Sequence, residues 1–508
     1  MKNKLVLFLL FLSSALLFGR PFTIIDAVHS YNLDPHTANY SSEAQILTGL
    51  YEGLFSHDPY SLEPVPALVA DYKVSRDKLR WTFTLKEGAR FSNGEEITAQ
   101  TIKDSWLSLL NPATAAPFAS LLDCIRGAAE YRTGKGDATE VGISVQSKYQ
   151  LTLRLVTPTE HLPSILCHHS FSAVHPDRTV YSGPFLLESY DGSQLRMKKN
   201  PKYHDAANVA LEEILVIQSD DTLENSYLYN TGAVDWVLSV ADIASLIDYN
   251  SVLINAEFAT EYLFFKSHKA PWNQAAFRNA LLAAVPWDVL RGNSFVPATT
   301  LIYPIGNYKA PAALADYDLE EAKLLLEQAK SEAGMATDAP LEITIAVSDT
   351  DYAKSQAELL MESWSQLGIT VHLSITPIQR YLDSISSWDA DLFSYTWIGD
   401  FADPLAFLEL FRSDSTLNES QWHNSEYDRL LQEAAFATGD KRLELLSAAE
   451  DVLLSDGLII PISHPVTLNI IDRQRVKGWY LNALDIHPLK HLYLETIPVS
   501  IPNLVLAK

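Results

Sequence analysis

Leu341-Glu-Ile-Thr-Ile-Ala-Val347 and Ile369-Thr-Val-His-Leu-Ser-Ile375 alternate apolar and polar side chains, the period of half-buried strands. Between them, from Ala353 to Leu367, apolar residues recur at i, i+3 and i+4, which is one face of a helix. Strand, helix and strand in this order predict a βαβ unit, whose default is a right-handed crossover between parallel strands. The flanking sequence continues the alternation. Trp287–Arg291, Asp318–Lys330 and Lys441–Leu454 read as helices, and Leu458-Ile-Ile-Pro-Ile462 as a short buried strand.

Towards the amino terminus, Pro21–Val28 contains a first strand and Leu33-Asp-Pro-His36 a turn with proline at its corner. A helix is predicted over Ser41–Leu50, where serine hydroxyls and Glu43 suit a helix start. Trp81-Thr-Phe-Thr-Leu-Lys86 alternates strictly, Gly88–Gly94 turns the chain, and Thr98 caps a helix running through Trp106 to Leu109-Leu110. Tyr149–Val156 and Ile214–Ile217 are further strands. There is no internal repeat and no low-complexity linker, so the folding units are expected to exchange strands instead of hanging on a tether.

The chain has 508 residues, enough for about three folding units. With 47% hydrophobic and 20% charged residues it is globular, not disordered. A net charge of −25 repels phosphate backbones, so no nucleic-acid partner is expected. Basic Met1-Lys-Asn-Lys4, apolar Leu5–Phe18 and Gly19-Arg20 have the layout of a secretory signal, with cleavage expected after Gly19. The apolar run is shorter than the ~20 residues of a membrane-spanning helix, and no cysteine follows it to carry a lipid, so a freely moving periplasmic protein is expected. Cys124 and Cys167 leave two readings open, a disulfide or two separate buried thiols.

Ser394-Tyr-Thr-Trp-Ile-Gly-Asp-Phe-Ala-Asp-Pro-Leu-Ala-Phe407 sets Asp400 and Asp403 among aromatic rings, with no lysine or arginine between Arg380 and Arg412. A desolvated carboxylate needs a cation or several donors. The cation is a ligand's, or the aspartates cap a turn and a helix, as the Asp403-Pro404 pair suggests. The chain lacks Gly-x-Ser-x-Gly, His-Glu-x-x-His, P-loop and Gly-x-Gly-x-x-Gly signatures, which argues against an enzyme. His161, Cys167, His168 and His169 make the nearest metal-like cluster, but adjacent histidines on a strand point to opposite sides, so neither metal nor cofactor is expected.

The block from Trp81 to Gln100, continued by Ser105-Trp106 and Asn111-Pro-Ala-Thr-Ala-Ala-Pro-Phe-Ala-Ser120, resembles the extracellular solute-binding proteins of family 5. These are the oligopeptide-binding components of ABC importers. Leu33-Asp-Pro-His36, Leu50-Tyr-Glu-Gly-Leu54, Asn200-Pro-Lys-Tyr203, Phe277–Leu281 and Glu321–Leu325 support the resemblance, which covers essentially all of the chain after the leader. It implies an α/β fold: a two-lobed periplasmic-binding-protein type II clamp with an extra subdomain inserted in the first lobe. The expected division is a signal peptide at 1–19, a first lobe at 20–258 plus 464–508 with an insert at about 54–175, and a second lobe at 259–463. The crossovers are expected near Glu257-Phe258 and Ile462-Ser463.

By the same resemblance a peptide lies between the lobes, paired as an added strand, and an ABC transporter membrane permease receives it; a monomer is expected. Trp397-Ile-Gly-Asp400 corresponds to the family's Trp-x-x-Asp element, which makes Asp400 the anchor for the peptide's ammonium. Trp397, Gly399, Asn39, Ser41, Phe118, Tyr262 and Leu263 are the other expected ligand contacts. Ser394 stands where relatives can carry an arginine for a ligand carboxylate, so that end must be met differently; Arg380, Lys354 and His372 are the candidates. Murein peptides, nickel complexes, haem and sugars are alternative solutes, and a peptide sensor or chaperone and a secreted hydrolase are alternative functions.

Overall fold

The computed structural model describes residues 20–38, 41–292, 294–378, 380–381, 385, 387–399, 401–415 and 417–495. The leader, Asn39 and Asp400 lie outside the described residues. No helix among the described residues is long and apolar enough to cross a membrane.

The βαβ unit forms as its alternation demands. Leu341–Ser348 and Ile369–Thr376 pair in parallel with Leu341 opposite Ile369, and the helix Asp351–Ser365 joins them, capped by the Thr350 hydroxyl. They open a five-stranded sheet that continues through Leu392–Ile398 and Ala259–Phe265 to Ile459–Ser463. A seven-stranded sheet runs Val252–Ala256, Val466–Ile471, Trp236–Leu238, Phe22–Asp26, Glu213–Gln218, Gln194–Lys199, Phe185–Tyr190. Four antiparallel strands, Val69–Val74, Arg80–Leu85, Gln150–Arg154 and Ile143–Ser147, form a third sheet.

The chain passes from the large sheet to the five-stranded one between Ala256 and Ala259, and returns between Ser463 and Val466. The two crossings are tied side by side, since Glu257 N donates to Pro465 O at 2.9 Å. Phe258, fully buried, anchors the first crossing, and its amide donates to Ala483 O.

Local signals place the elements. Thr98 and Thr101 exchange hydrogen bonds in a capping box at the start of Ala99–Leu109, which sinks Trp106 completely and aims its indole N–H at Phe171 O, 2.9 Å away. Asp318 caps Leu319–Glu332 through Oδ1. The buried apolar residues of the four-stranded unit and of the five-stranded lobe form one continuous cluster, while the seven-stranded sheet has its own clusters on its two faces. Sequence pattern gives no sign of this shared core, because it is a contact between units far apart in the chain.

Candidate functional site: a cavity between the lobes

Three parts of the chain meet around a cavity of about 620 Å³. The five-stranded lobe supplies Tyr395–Gly399, the four-stranded unit supplies Asn111, Pro112, Ala115–Ala119 and His168-His169, and the first lobe supplies Ala44, Leu484 and Ile486. The strand Leu392–Ile398 pairs along one edge with Ala259–Phe265, Trp397 opposite Thr260. Its other edge meets the Leu341–Ser348 strand at Leu392 and Phe393, and beyond them, from Thr396 to Ile398, no described strand pairs with it. A length of sheet edge therefore lines the cavity, which is the geometry that accepts an added strand.

Trp397 is half-buried, fixed by its indole N–H to Ala406 O at 2.9 Å, and stacked near-parallel with Tyr395. Gly399 lies flat against the crossover. A Cβ there would fall 2.4 Å from the Phe258 ring, and its amide donates to Phe258 O at 2.7 Å. On the opposite wall Phe118 packs against His168 with ring centroids 4.4 Å apart, and His168 against His169 at 4.1 Å. Burial pushes both imidazoles down, His169 to about 4, so both are neutral near pH 7. Glu419 lines the cavity with its carboxyl raised by burial, opposed by the Lys266 ammonium. Arg132 lines it too, but its Nε donates to Asp123 at 2.7 Å and its Nη2 pairs with the same carboxylate.

Of the expected contacts, Phe118, Trp397 and Gly399 border this cavity. Ser41 is the first residue of the helix Ser41–Leu50, and Ala44, three residues on, is in the wall. Tyr262 and Leu263 do not reach it: they are 2% and 1% exposed in the core of the five-stranded lobe, Tyr262 beneath Tyr395. Ser394 pairs with Leu263 and lies outside the wall. Lys354 pairs with Asp351 on an exposed helix face and His372 with Glu342, both away from the cavity. Asp400 and Asn39 lie outside the described residues.

The missing cation of Asp403 is Arg442. Its Nη1 and Nη2 reach the carboxylate at 2.7 and 2.8 Å, and Asp403 also accepts from Leu405 N at 3.0 Å, so it caps and pairs at once. Burial alone would raise the Asp403 carboxyl, but the guanidinium holds it below its ordinary value. Arg442 lies 39 residues further on, beyond any local motif.

The metal-like cluster also resolves differently from expectation. His168 and His169 are at a 3-10 turn, not on a strand, and their rings face each other; His161 lies elsewhere, stacked on Phe401. No group of three or more His, Cys, Asp or Glu among the described residues is arranged to hold a metal ion. Both cysteines are free thiols.

Two sheets joined by paired crossings, with the cavity between them, define a two-lobed clamp. The family model for bacterial extracellular solute-binding proteins, family 5, matches residues 63–419, and the chain belongs to this family. It is 26% identical to the periplasmic oligopeptide-binding protein OppA of Salmonella typhimurium, over 92% of this chain and 90% of that one. It is 28% identical to the probable deoxycholate-binding periplasmic protein YgiS of Escherichia coli, over 91% of each. The murein tripeptide-binding protein MppA of Escherichia coli shares the fold, with a TM-score of 0.80 at 23% identity over 94% of this chain and 99% of that one.

The wall residues that sequence reading passed over include Glu419, Leu484 and Ile486. Asn111–Pro117 was visible as a family block, but its position on the cavity was not.

Proposed function

We propose that the chain is an exported, periplasmic peptide-binding protein that holds its ligand between the lobes and presents it to an ABC importer's membrane permease. The observation that carries this reading is the sheet edge from Thr396 to Ile398 beside the cavity. A peptide laid along it gains main-chain hydrogen bonds whatever its side chains. The names of the relatives agree with this class of solute.

The lobes proposed are 20–258 plus 464–508 and 259–463, with an insert at about 54–175; the change of sheet at the two crossings supports the division. Asp400, directly after the Gly399 that borders the cavity, is the proposed anchor for the peptide's ammonium. A charge-assisted bond in a closed cleft is strong and rejects ligands without the amine. Calorimetry with a tight-binding peptide and its amino-acetylated form tests both statements. Asp400→Asn is expected to weaken binding of the free-amine peptide by about 2–5 kcal/mol. Equal affinity of the variant and the parent for that peptide refutes the anchor.

The apolar flank of the cavity, with Leu109, Leu110, Leu417 and Leu484, supports a second reading, an amphipathic steroid acid such as the one named for the 28%-identical relative. Titration with deoxycholate separates the two: tight binding that peptides do not displace favours the steroid.

A further inference from the structure

A second cavity, also about 620 Å³, lies between the four-stranded unit and the helices of the second lobe. Successive residues of one segment divide the two spaces, since Phe118 and Ala119 face the first and Ser120, Leu121, Asp123 and Cys124 the second. One side is apolar, built from Ile125, Ile165, Leu405, Leu431 and Leu446.

The charge around it is unbalanced. Six carboxylates among the described residues line it, Asp123, Glu130, Glu160, Glu409, Asp414 and Asp428, against the guanidiniums of Arg412 and Arg442; two of the six are paired from outside the wall, Asp123 by Arg132 and Glu160 by Lys78. Arg442 is committed to Asp403. Arg412 is shared among Glu409 at 2.6 Å, Asp414 at 2.5 Å and Asp123 at 3.4 Å. Glu409 is 4% exposed, and its burial raises the carboxyl to about 7 even beside that guanidinium. With Asp123 held by Arg132, Arg412 is divided between Glu409 and Asp414, which leaves the buried Glu409 carboxylate under-compensated.

An independent observation points into the same space. Ser120 is 2% exposed, lines the cavity, and its hydroxyl has no hydrogen-bond partner among the described residues. A buried hydroxyl left unsatisfied is uncommon in a folded protein. The volume far exceeds that of a bare ion, and the apolar side calls for hydrocarbon.

We infer that this second cavity binds an organic cation, an aliphatic amine whose ammonium meets the Glu409 carboxylate while its chain lies against Leu405, Leu431 and Leu446. The Ser120 hydroxyl supplies a further polar contact. Because the walls belong to two different units, an occupant bridges them.

Octylamine, with octanol as its uncharged counterpart, is the probe for calorimetry on the purified protein. One saturable site for octylamine is expected, with octanol binding at least tenfold more weakly. Glu409→Gln, nearly isosteric, should weaken octylamine at least tenfold. Ala435→Trp, at a half-buried wall position, should abolish its binding while thermal melting stays cooperative. Equal binding of octanol and octylamine overturns the inference, as does unchanged binding in both variants or absence of saturation. Displacement of octylamine by a free-amine peptide also overturns it, by placing the amine in the first cavity. A peptide that fails to bind at all refutes the proposed function and leaves the octylamine result to decide the second site by itself.

Discussion

The two cavities have the same volume and share a dividing segment, yet they are built on opposite principles. The first is walled by rings, neutral histidines and a sheet edge; of its charged groups Arg132 is spent on Asp123, and Glu419 faces Lys266. The second is walled by ion pairs with an excess of carboxylates. A main-chain edge recognises any extended peptide and is indifferent to side chains, whereas fixed charges select a ligand by its charge. The chain changes from one regime to the other within two residues, Gly399 on the first wall and Phe401 on the second.

Arg442→Ala strikes the second region hardest. It strands the Asp403 carboxylate, whose side chain is 15% exposed, and removes the guanidinium contact to His161 Nδ1 at 3.3 Å across to the four-stranded unit. Breaking one side of a buried pair costs about 3–5 kcal/mol, and urea unfolding should show a loss of that size. If the cavities are as separate as their walls suggest, peptide affinity should fall far less than stability. A parallel collapse of both would show that the two regions act as one.

Gly399→Ala tests the first region. The new Cβ meets the Phe258 ring at 2.4 Å and the Phe407 ring at 3.1 Å, so the crossover must move or the strand end must shift. Overpacking of this kind costs about 1–3 kcal/mol. Peptide affinity should drop together with the midpoint of thermal unfolding, while octylamine binding is retained.

Much of this architecture was legible because it is local. Thr98, Asp318 and Thr350 stand at helix starts where side-chain oxygens reach free amides, and all three cap as their positions predict or permit. Leu341–Ser348 and Ile369–Thr376 show their faces through strict alternation. Leu392–Ile398 was harder to read as a strand, since one edge and one face of it serve the cavity and it carries Ser394, Thr396 and three large aromatics. Asp403 caps as the Asp403-Pro404 pair suggests, accepting from Leu405 N, but its cation was not legible because Arg442 lies on the helix Gly439–Ser455 and is brought near by packing alone. Tyr262 and Leu263 were expected at the ligand because they open the second lobe, but on a central strand flanked on both sides those positions are core. His168 and His169 were misplaced by assuming a strand where the chain makes a turn.

The smallest effect expected lies at the crossing between the two lobes. Glu257 is half-buried there, with Asp485 nearby, and burial followed by that neighbouring charge raises its carboxyl from 4.5 to about 7. The Asp485 carboxylate is engaged by Asn469 Nδ2 and His487 Nε2, each at 3.0 Å. A carboxyl raised in the folded state contributes stability that is complete below its unfolded value of 4.5 and is lost as pH rises through about 7. Glu409 and Glu450, also raised to about 7, act in the same direction. His161 and His169, lowered to about 4, act oppositely, losing their contribution as pH falls from 6.5 through 4. The parent's pH profile therefore mixes both, and the difference between parent and Glu257→Gln isolates the crossing. The variant should match the parent near pH 4 and exceed it by on the order of 1–2 kcal/mol at pH 8, measured by urea unfolding at each pH. A constant offset across that range would mean that Glu257 titrates alike in the folded and unfolded protein, and that the crossing holds the two lobes without any dependence on its protonation.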